Sequence, residues 1–312
     1  MLRLFILPVL LLCASLSNTA LQTRERPIRI AILDFGDSST GRSVADKLAD
    51  TFVSVMRRRK DSPAPEFQII DRDQSRAAAL GAGYRGSLNM TLQEARNLGA
   101  TIGCDFFFAG DAQTLRRLPS DGPAYFESFA AIYLVSGRSG KLALWERPSV
   151  ERASPEEAEK ALSKELTSED FIYRYQRDIQ RALEDEQADR AYAISPGVPA
   201  IQIMSDDGED SGDGVKGPKP FKRLKPPYPE TAARAEIEAT VDVLVDLDVQ
   251  GEVRRIEVSR WAGYGLDQAV VETVRQMHFF PAMRDGVAIP IRVLLRYNFR
   301  KPPVEKPPAV SK

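Results

Sequence analysis

The strictest alternation in the chain runs from Thr240 to Val249, where Val241, Val243, Val245 and Leu247 share one side and Asp242, Asp246 and Asp248 take the other. Successive side chains of a strand point to opposite faces, so this stretch predicts a strand with one buried and one wet face. Gln250-Gly251 turns the chain. Val253, Ile256 and Val258 stay apolar but slip by one position, which predicts a bulge-like irregularity in the second strand. Leu266, Ala269, Val270, Thr273, Val274 and Met277 follow helical spacing, and Pro281 forbids continuation. A last strand is expected from Ile289 to Phe299, with Ile291, Val293, Leu295, Tyr297 and Phe299 facing one way and Arg292, Arg296 and Asn298 the other. Strand, strand, helix, strand is an α+β unit: a three-stranded sheet with one helix across a face.

Earlier in the chain, strand and helix signals alternate. Ile28 to Phe35 reads as a strand closed by the turn-rich run 36–41, and Val44, Leu48, Phe52 and Val55 mark a helix whose start Ser43 and Asp46 would cap. Phe67 to Arg72 reads as a second strand, Thr91 to Thr101 as a short helix, and Cys104 to Ala109 as a third strand. Ser128 to Val135 and Leu142 to Trp145 make a hairpin across two glycines. The order predicts helices layered on a mixed sheet. Residues 154–193 are charged and helical in composition, with an apolar stripe expected to pack within the chain. From Ser205 to Pro227 acidic, glycine and proline residues replace the periodic pattern, which reads as a flexible linker.

Composition changes this picture in two ways. At 312 residues the chain can hold two modest domains and two cores, and a formal net charge of −1 removes the usual electrostatic case for nucleic acid. The cluster Arg57-Arg58-Arg59-Lys60 fits a solvated helix end. The first residues carry an address: Arg3, the apolar run Leu4 to Leu12, then small and polar residues to Ala20. That layout reads as a secretory signal over 1–22, with Ser15 and Ser17 at the small positions before a cut; an uncleaved signal anchor is the alternative. Loss of Cys13 with the signal would leave Cys104 alone beside Phe106-Phe107-Phe108, as a buried and inert thiol.

Candidate chemistry is sparse. Gly137 to Lys141 looks like part of a phosphate loop, but Val135 stands where the first Gly belongs and Leu142 where Ser or Thr would hold magnesium. The acidic run 206–213 lacks calcium-loop spacing, with Pro218 in place of a closing Glu. His278 is the chain's single histidine and cannot build a metal cluster by itself. No catalytic centre, metal site or cofactor is expected.

Two resemblances follow from particular residues. Tyr228-Pro229 with Ala232-Ala233, the Gly251-Glu252-Val253 turn, Leu266-Asp267 with Ala269, Phe279 with Pro281-Ala282, and Asp285-Gly286 resemble the TonB C-terminal family in order and spacing. Ala239, Met277 and Trp261 depart from that family's pattern and read as packing substitutions. Upstream, Leu33-Asp34-Phe35, Ala45 and Ala49, Ile70-Asp71-Arg72, Leu98-Gly99-Ala100, the run from Gly103 to Gly110 and Gly140-Lys141 are similar to TolB amino-terminal and CsgG-like envelope domains.

The resulting expectation is an α+β chain of two domains: a mixed-sheet α/β-type domain over 28–148 and a ββαβ TonB-like domain over 228–300. A charged helical segment over 154–194 and a linker over 205–227 lie between them, and a disordered tail covers 301–312. The resemblance implies a non-enzymatic envelope protein in the periplasm that binds envelope proteins or outer-membrane receptors by adding a partner strand to its sheet. An inner-membrane-anchored energy transducer for outer-membrane transport, facing the periplasm, is the alternative, and membrane contact is expected only if the leader stays attached. The candidate binding edge is Ile291, Arg292, Val293, Leu294, Leu295, Arg296, Tyr297, Asn298 and Phe299, with Arg292, Arg296 and Asn298 selecting partners.

Overall fold

The computed structural model describes residues 26–58, 66–196, 198–199, 202–203 and 214–301. The expected signal over 1–22, the tail beyond 301 and the acidic half of the expected linker lie outside the described residues.

The chain opens with β1 (Ile28–Phe35) and α1 (Ser39–Arg58). This helix begins a turn before the expected Ser43 start, because the Ser38 hydroxyl accepts the Gly41 N–H at 2.8 Å and satisfies an end donor there. β2 (Phe67–Ile69) stops short of Arg72. Asp71 instead accepts the Gln74 N–H and caps α2 (Arg72–Gly81), a helix absent from the sequence reading. α3 (Leu92–Ile102) forms as expected, held at its start by a capping box between Thr91 and Glu94. β3 (Phe106–Arg117), β4 (Tyr125–Ser136), β5 (Leu142–Glu146) and β6 (Ser149–Arg152) complete a six-stranded sheet in the order β2-β1-β3-β4-β5, with β6 also on β4. β1 lies parallel to β2 and β3, and the remaining pairs are antiparallel, so the sheet is mixed as expected. The charged stretch that follows is two helices, α4 (Pro155–Leu166) and α5 (Glu169–Ala193), because Ser168 accepts the Phe171 N–H and starts a new helix.

Both faces of this sheet are covered. Ile30, Ile32, Phe106, Phe108, Ile132 and Leu134 meet α1, α4 and α5, while Ala31, Leu33, Phe107, Tyr133 and Val135 turn toward α2 and α3. Contact on the second side is close: a Cβ at Gly99 of α3 would stand 2.4 Å from the Gly137 Cα in the β4–β5 turn, so only glycine fits.

The second region contains β7 (Gln202–Ile203), β8 (Val215–Lys216), β9 (Lys219–Pro220), α6 (Glu230–Arg234), β10 (Ala239–Leu247), β11 (Val253–Arg260), α7 (Leu266–Arg275), β12 (Phe279–Phe280), β13 (Ala282–Arg284), β14 (Val287–Ile289) and β15 (Ile291–Phe299). The expected strand from Ile289 is thus broken at Pro290, which lacks a backbone donor. The main sheet has the order β11-β10-β15-β7, and α7 packs on its apolar face through Leu266, Val270 and Val274. The slip in β11 is real: its register against β10 shifts between Asp246 and Leu247 and again between Asp242 and Val243. From Gly214 onward the expected linker is not free chain, since β8 pairs with β13 and β9 with β12.

The buried residues form two clusters that do not divide between these regions. One fills the α1, α4 and α5 side of the first sheet. The other starts on its α2 and α3 side and continues through Trp261, Ala262 and Tyr264 into the core under α7.

Candidate partner-binding edge

β15 is placed by two different interactions on its two faces. Ile291, Val293, Leu295, Tyr297 and Phe299 are buried in the core under α7, whereas Arg292 and Leu294 are half-buried and Arg296 and Asn298 exposed on the opposite side. On that side β15 meets β10 rung by rung, Asp246 opposite Arg292 and Asp242 opposite Arg296. Each pair is a two-pronged fork: Arg292 reaches Asp246 at 2.5 and 2.7 Å, and Arg296 reaches Asp242 at 2.7 and 2.8 Å. Hydrogen bonding to its aspartate raises the pKa of each guanidinium above its ordinary value. The Thr240 hydroxyl donates to Asn298 Oδ1 at 2.8 Å.

The sequence reading puts Asp242 and Asp246 on a wet face, and the structure corrects this: they are 4% and 2% exposed. Their partners and the end of α5 cover them. Tyr192 donates to Asp246 Oδ2 at 2.8 Å, and Arg260 of β11 approaches Asp242 at 3.5 Å. Arg292 and Arg296 are therefore already engaged by carboxylates within the sheet.

Along its other side β15 is paired differently. Among the described residues, Arg292 and Val293 have a partner there, the parallel strand β7 at Gln202 and Ile203. Among the described residues, no strand pairs with Leu294 to Phe299 on that side.

A second arrangement, at the opposite edge of the same sheet, escapes the sequence reading. The loop after β11 inserts into the first region: Trp261 Nε1 donates to the Gly140 carbonyl at 3.0 Å, and Tyr133 donates to the Ala262 carbonyl at 2.9 Å. The Tyr133 and Trp261 rings lie 5.5 Å apart. Asn89 clamps the loop by donating to the carbonyls of Thr240 and Trp261 at 2.8 and 2.7 Å. Gly263 sits at φ +73°, where a Cβ would come within 2.5 Å of the Trp145 ring. Asp267 fixes the loop from below, accepting the N–H groups of Ala262 and Gly263 at 2.8 Å each. Burial pushes its carboxyl up to about 6 despite these two donors. Nearby, Lys141 bridges Asp189 of α5 at 2.5 Å and Glu257 of β11 at 2.8 Å, and Arg255 pairs with Asp189 over the Tyr192 ring. These groups line a cavity of about 470 Å³. The one visible signal was Trp261 itself, a large aromatic out of place in the family pattern.

Neither arrangement sets a nucleophile beside a base, and among the described residues no group of His, Cys, Asp or Glu could hold a metal ion. Cys104 is buried, and burial pushes its thiol up to about 12. No helix of the described residues is long and apolar enough to cross a membrane.

Residues 225–300 match the profile of the family described as Gram-negative bacterial TonB protein C-terminal. Protein TonB of Vibrio cholerae is 27% identical over 117 residues, covering 37% of this chain and 44% of that protein, so the alignment spans less than half of the relative. The solution structure of the Pseudomonas aeruginosa TonB C-terminal domain shares 24% identity, covers 32% of this chain and 93% of its own, and has a TM-score of 0.25. The hypothetical protein CT253 of Chlamydia trachomatis shares 10% identity over 48% of this chain and 96% of its own, with a TM-score of 0.31. With the ββαβ order, the family profile and the Vibrio relative in agreement, the end of this chain is a TonB C-terminal domain segment.

Proposed function

We propose that this chain is a non-catalytic adaptor of the bacterial cell envelope, working in the periplasm, whose TonB-like segment captures an extended stretch of an envelope or outer-membrane partner along β15. The observation that carries this reading is the one-sided pairing of β15: β10 matches its whole length, while the outer side from Leu294 to Phe299 has no strand partner among the described residues. Such an edge presents a row of backbone donors and acceptors that a new strand can complete. The pairing of β7 at Arg292 and Val293 supports the reading, because extended backbone already fits this edge in parallel orientation. Backbone pairing then supplies affinity, and Leu294, Arg296 and Asn298 border the incoming strand. In this reading residues 1–22 direct export and are removed.

The test uses the full chain as bait in envelope extracts, with Leu294→Pro as the variant. Proline removes one backbone donor. The variant is expected to lose the partners while its unfolding temperature stays close to that of the unaltered chain, and bound partner should protect the amides of 294–299 from hydrogen exchange. A folded proline variant that recovers the same partners, or binding without protection at 294–299, would move the site to another face. Mass spectrometry of the mature amino terminus tests export. A chain that starts at Met1 and resists alkaline carbonate extraction is instead an anchored transducer for outer-membrane transport.

A further inference from the structure

β12 carries two successive phenylalanines, and a strand covered on one face alone can bury only one of them, because neighbours point to opposite faces. Phe279 enters the core at 1% exposure, and Phe280 stands in solvent at 53%. The chain brings a second exposed ring to it. β9 pairs with β12, the Phe221 N–H donates to the His278 carbonyl at 2.9 Å, and the Phe221 and Phe280 rings meet edge to face with centroids 4.1 Å apart. Phe221 is itself 60% exposed. Two large rings thus pack on each other and project outward together.

The strand that presents Phe221 is strongly basic. Lys216, Lys219, Lys222, Arg223 and Lys225 fall within ten residues, and no carboxylate occurs from Val215 to Pro229. All five are exposed. Several other cations of the chain are paired, as at Arg292 with Asp246, Arg296 with Asp242 and Lys141 with Asp189. Among the described residues Lys216, Lys219, Lys222 and Lys225 have no such partner. Among the described residues, Glu252 lies 3.6 Å from His278 Nδ1, and Asp285 stands at the β13–β14 turn.

We infer that this corner docks on an anionic phospholipid surface. The two rings enter the headgroup layer, and the lysines lay their alkyl stems against it while their ammonium groups reach the phosphates. A peptide partner fits less well, since the rings project rather than line a groove, and the cavities beside Lys141 and Arg255 lie apart from them. The acidic residues of 206–213 balance the five cations in net charge. The discriminating quantity is therefore the difference in affinity between vesicle types, and the leader contributes equally to every variant.

The experiment is co-sedimentation of the full chain with phosphatidylcholine vesicles, with and without phosphatidylglycerol. The unaltered chain should prefer the phosphatidylglycerol vesicles and lose that preference at high salt. The double variant Lys219→Glu, Lys222→Glu should lose the preference, at about fivefold per lysine. Phe221→Ser with Phe280→Ser should weaken binding to both vesicle types, and both variants should unfold at the temperature of the unaltered chain. Lys222→Gln with Lys225→Gln, placed outside any strand, gives the same reading with the least demand on folding. A preference for phosphatidylglycerol that survives the lysine variants, no preference at all, or binding to poly-glutamate in place of vesicles would each overturn the proposal.

Discussion

The two sheets of this protein treat their second face in opposite ways. In the first, α1, α4 and α5 cover one side and α2 and α3 the other, so both alternate sets of β1, β3 and β4 are apolar: Ile30 and Ile32 against Ala31 and Leu33, Phe106 and Phe108 against Phe107. In the second, α7 covers one side, and the other carries Asp242, Asp246, Arg292 and Arg296. Yet those aspartates are as buried as core leucines. The lesson is that a polar face is not the same as a wet one: a sheet can close its second face with cross-strand ion pairs and the end of one helix, here Tyr192 of α5 on Asp246. Such a face is exacting, because either charge left without its partner is costly.

The comparison breaks most visibly at the place where the two sheets meet. Trp261 fills the junction, and Trp261→Ala removes a fully buried ring together with its bond to the Gly140 carbonyl. The expected loss is about 3–5 kcal/mol. Differential scanning calorimetry should then show the two regions unfolding in separate steps, because the core that joins them is interrupted.

The rungs come next. Asp246→Ala strands Arg292, whose side chain is 22% exposed, and removes the acceptor of Tyr192, so a loss of about 3 kcal/mol is expected in urea unfolding. Asp242→Ala should cost less, about 1–2 kcal/mol, because Arg296 is 55% exposed and water can take over much of its solvation. Equal costs at the two rungs would mean that burial of the arginine does not set the size of the effect.

The pH dependence sharpens the contrast between the two regions. The Asp267 carboxyl titrates near 6 in the folded chain against 3.8 when free, so its folded form holds the proton longer. The stability it contributes is complete below about 3.8 and is lost as the pH rises through about 6, a span of about 3 kcal/mol at most. Asp34 in the first region behaves oppositely: the hydrogen bond from Arg76 holds its carboxyl below the ordinary range, so its stability is present above that range and lost as the pH falls. Denaturation midpoints measured between pH 4 and 6 should therefore slope downward from Asp267, and Asp267→Asn should remove that slope while leaving the loss at lower pH.

Local pattern was a good guide wherever a single element carried the information. The β10 and β15 alternations, the irregularity in β11, the spacing of α7 and the short helix that starts after Thr91 all stand as read. Two errors were local competitions. Asp71 capped a helix where a strand was expected to continue, and Ser168 divided one helical stripe into two helices. The candidate edge was legible as a strand with its apolar side identified, but whether its outer side is paired was not.

What the sequence by itself determined is thus which side of each element is apolar, and from that the ββαβ order and the layered mixed sheet. Periodicity encodes this because each side chain's direction follows from its own backbone. Only the tertiary structure decided that Asp246 and Asp242 are buried against arginines 46 and 54 residues away, that Trp261 joins two sheets into one core, and that Phe221 and Phe280 meet in the open. Each of these depends on which distant segments come together, and pairing across long sequence separations leaves no periodic trace in either segment alone.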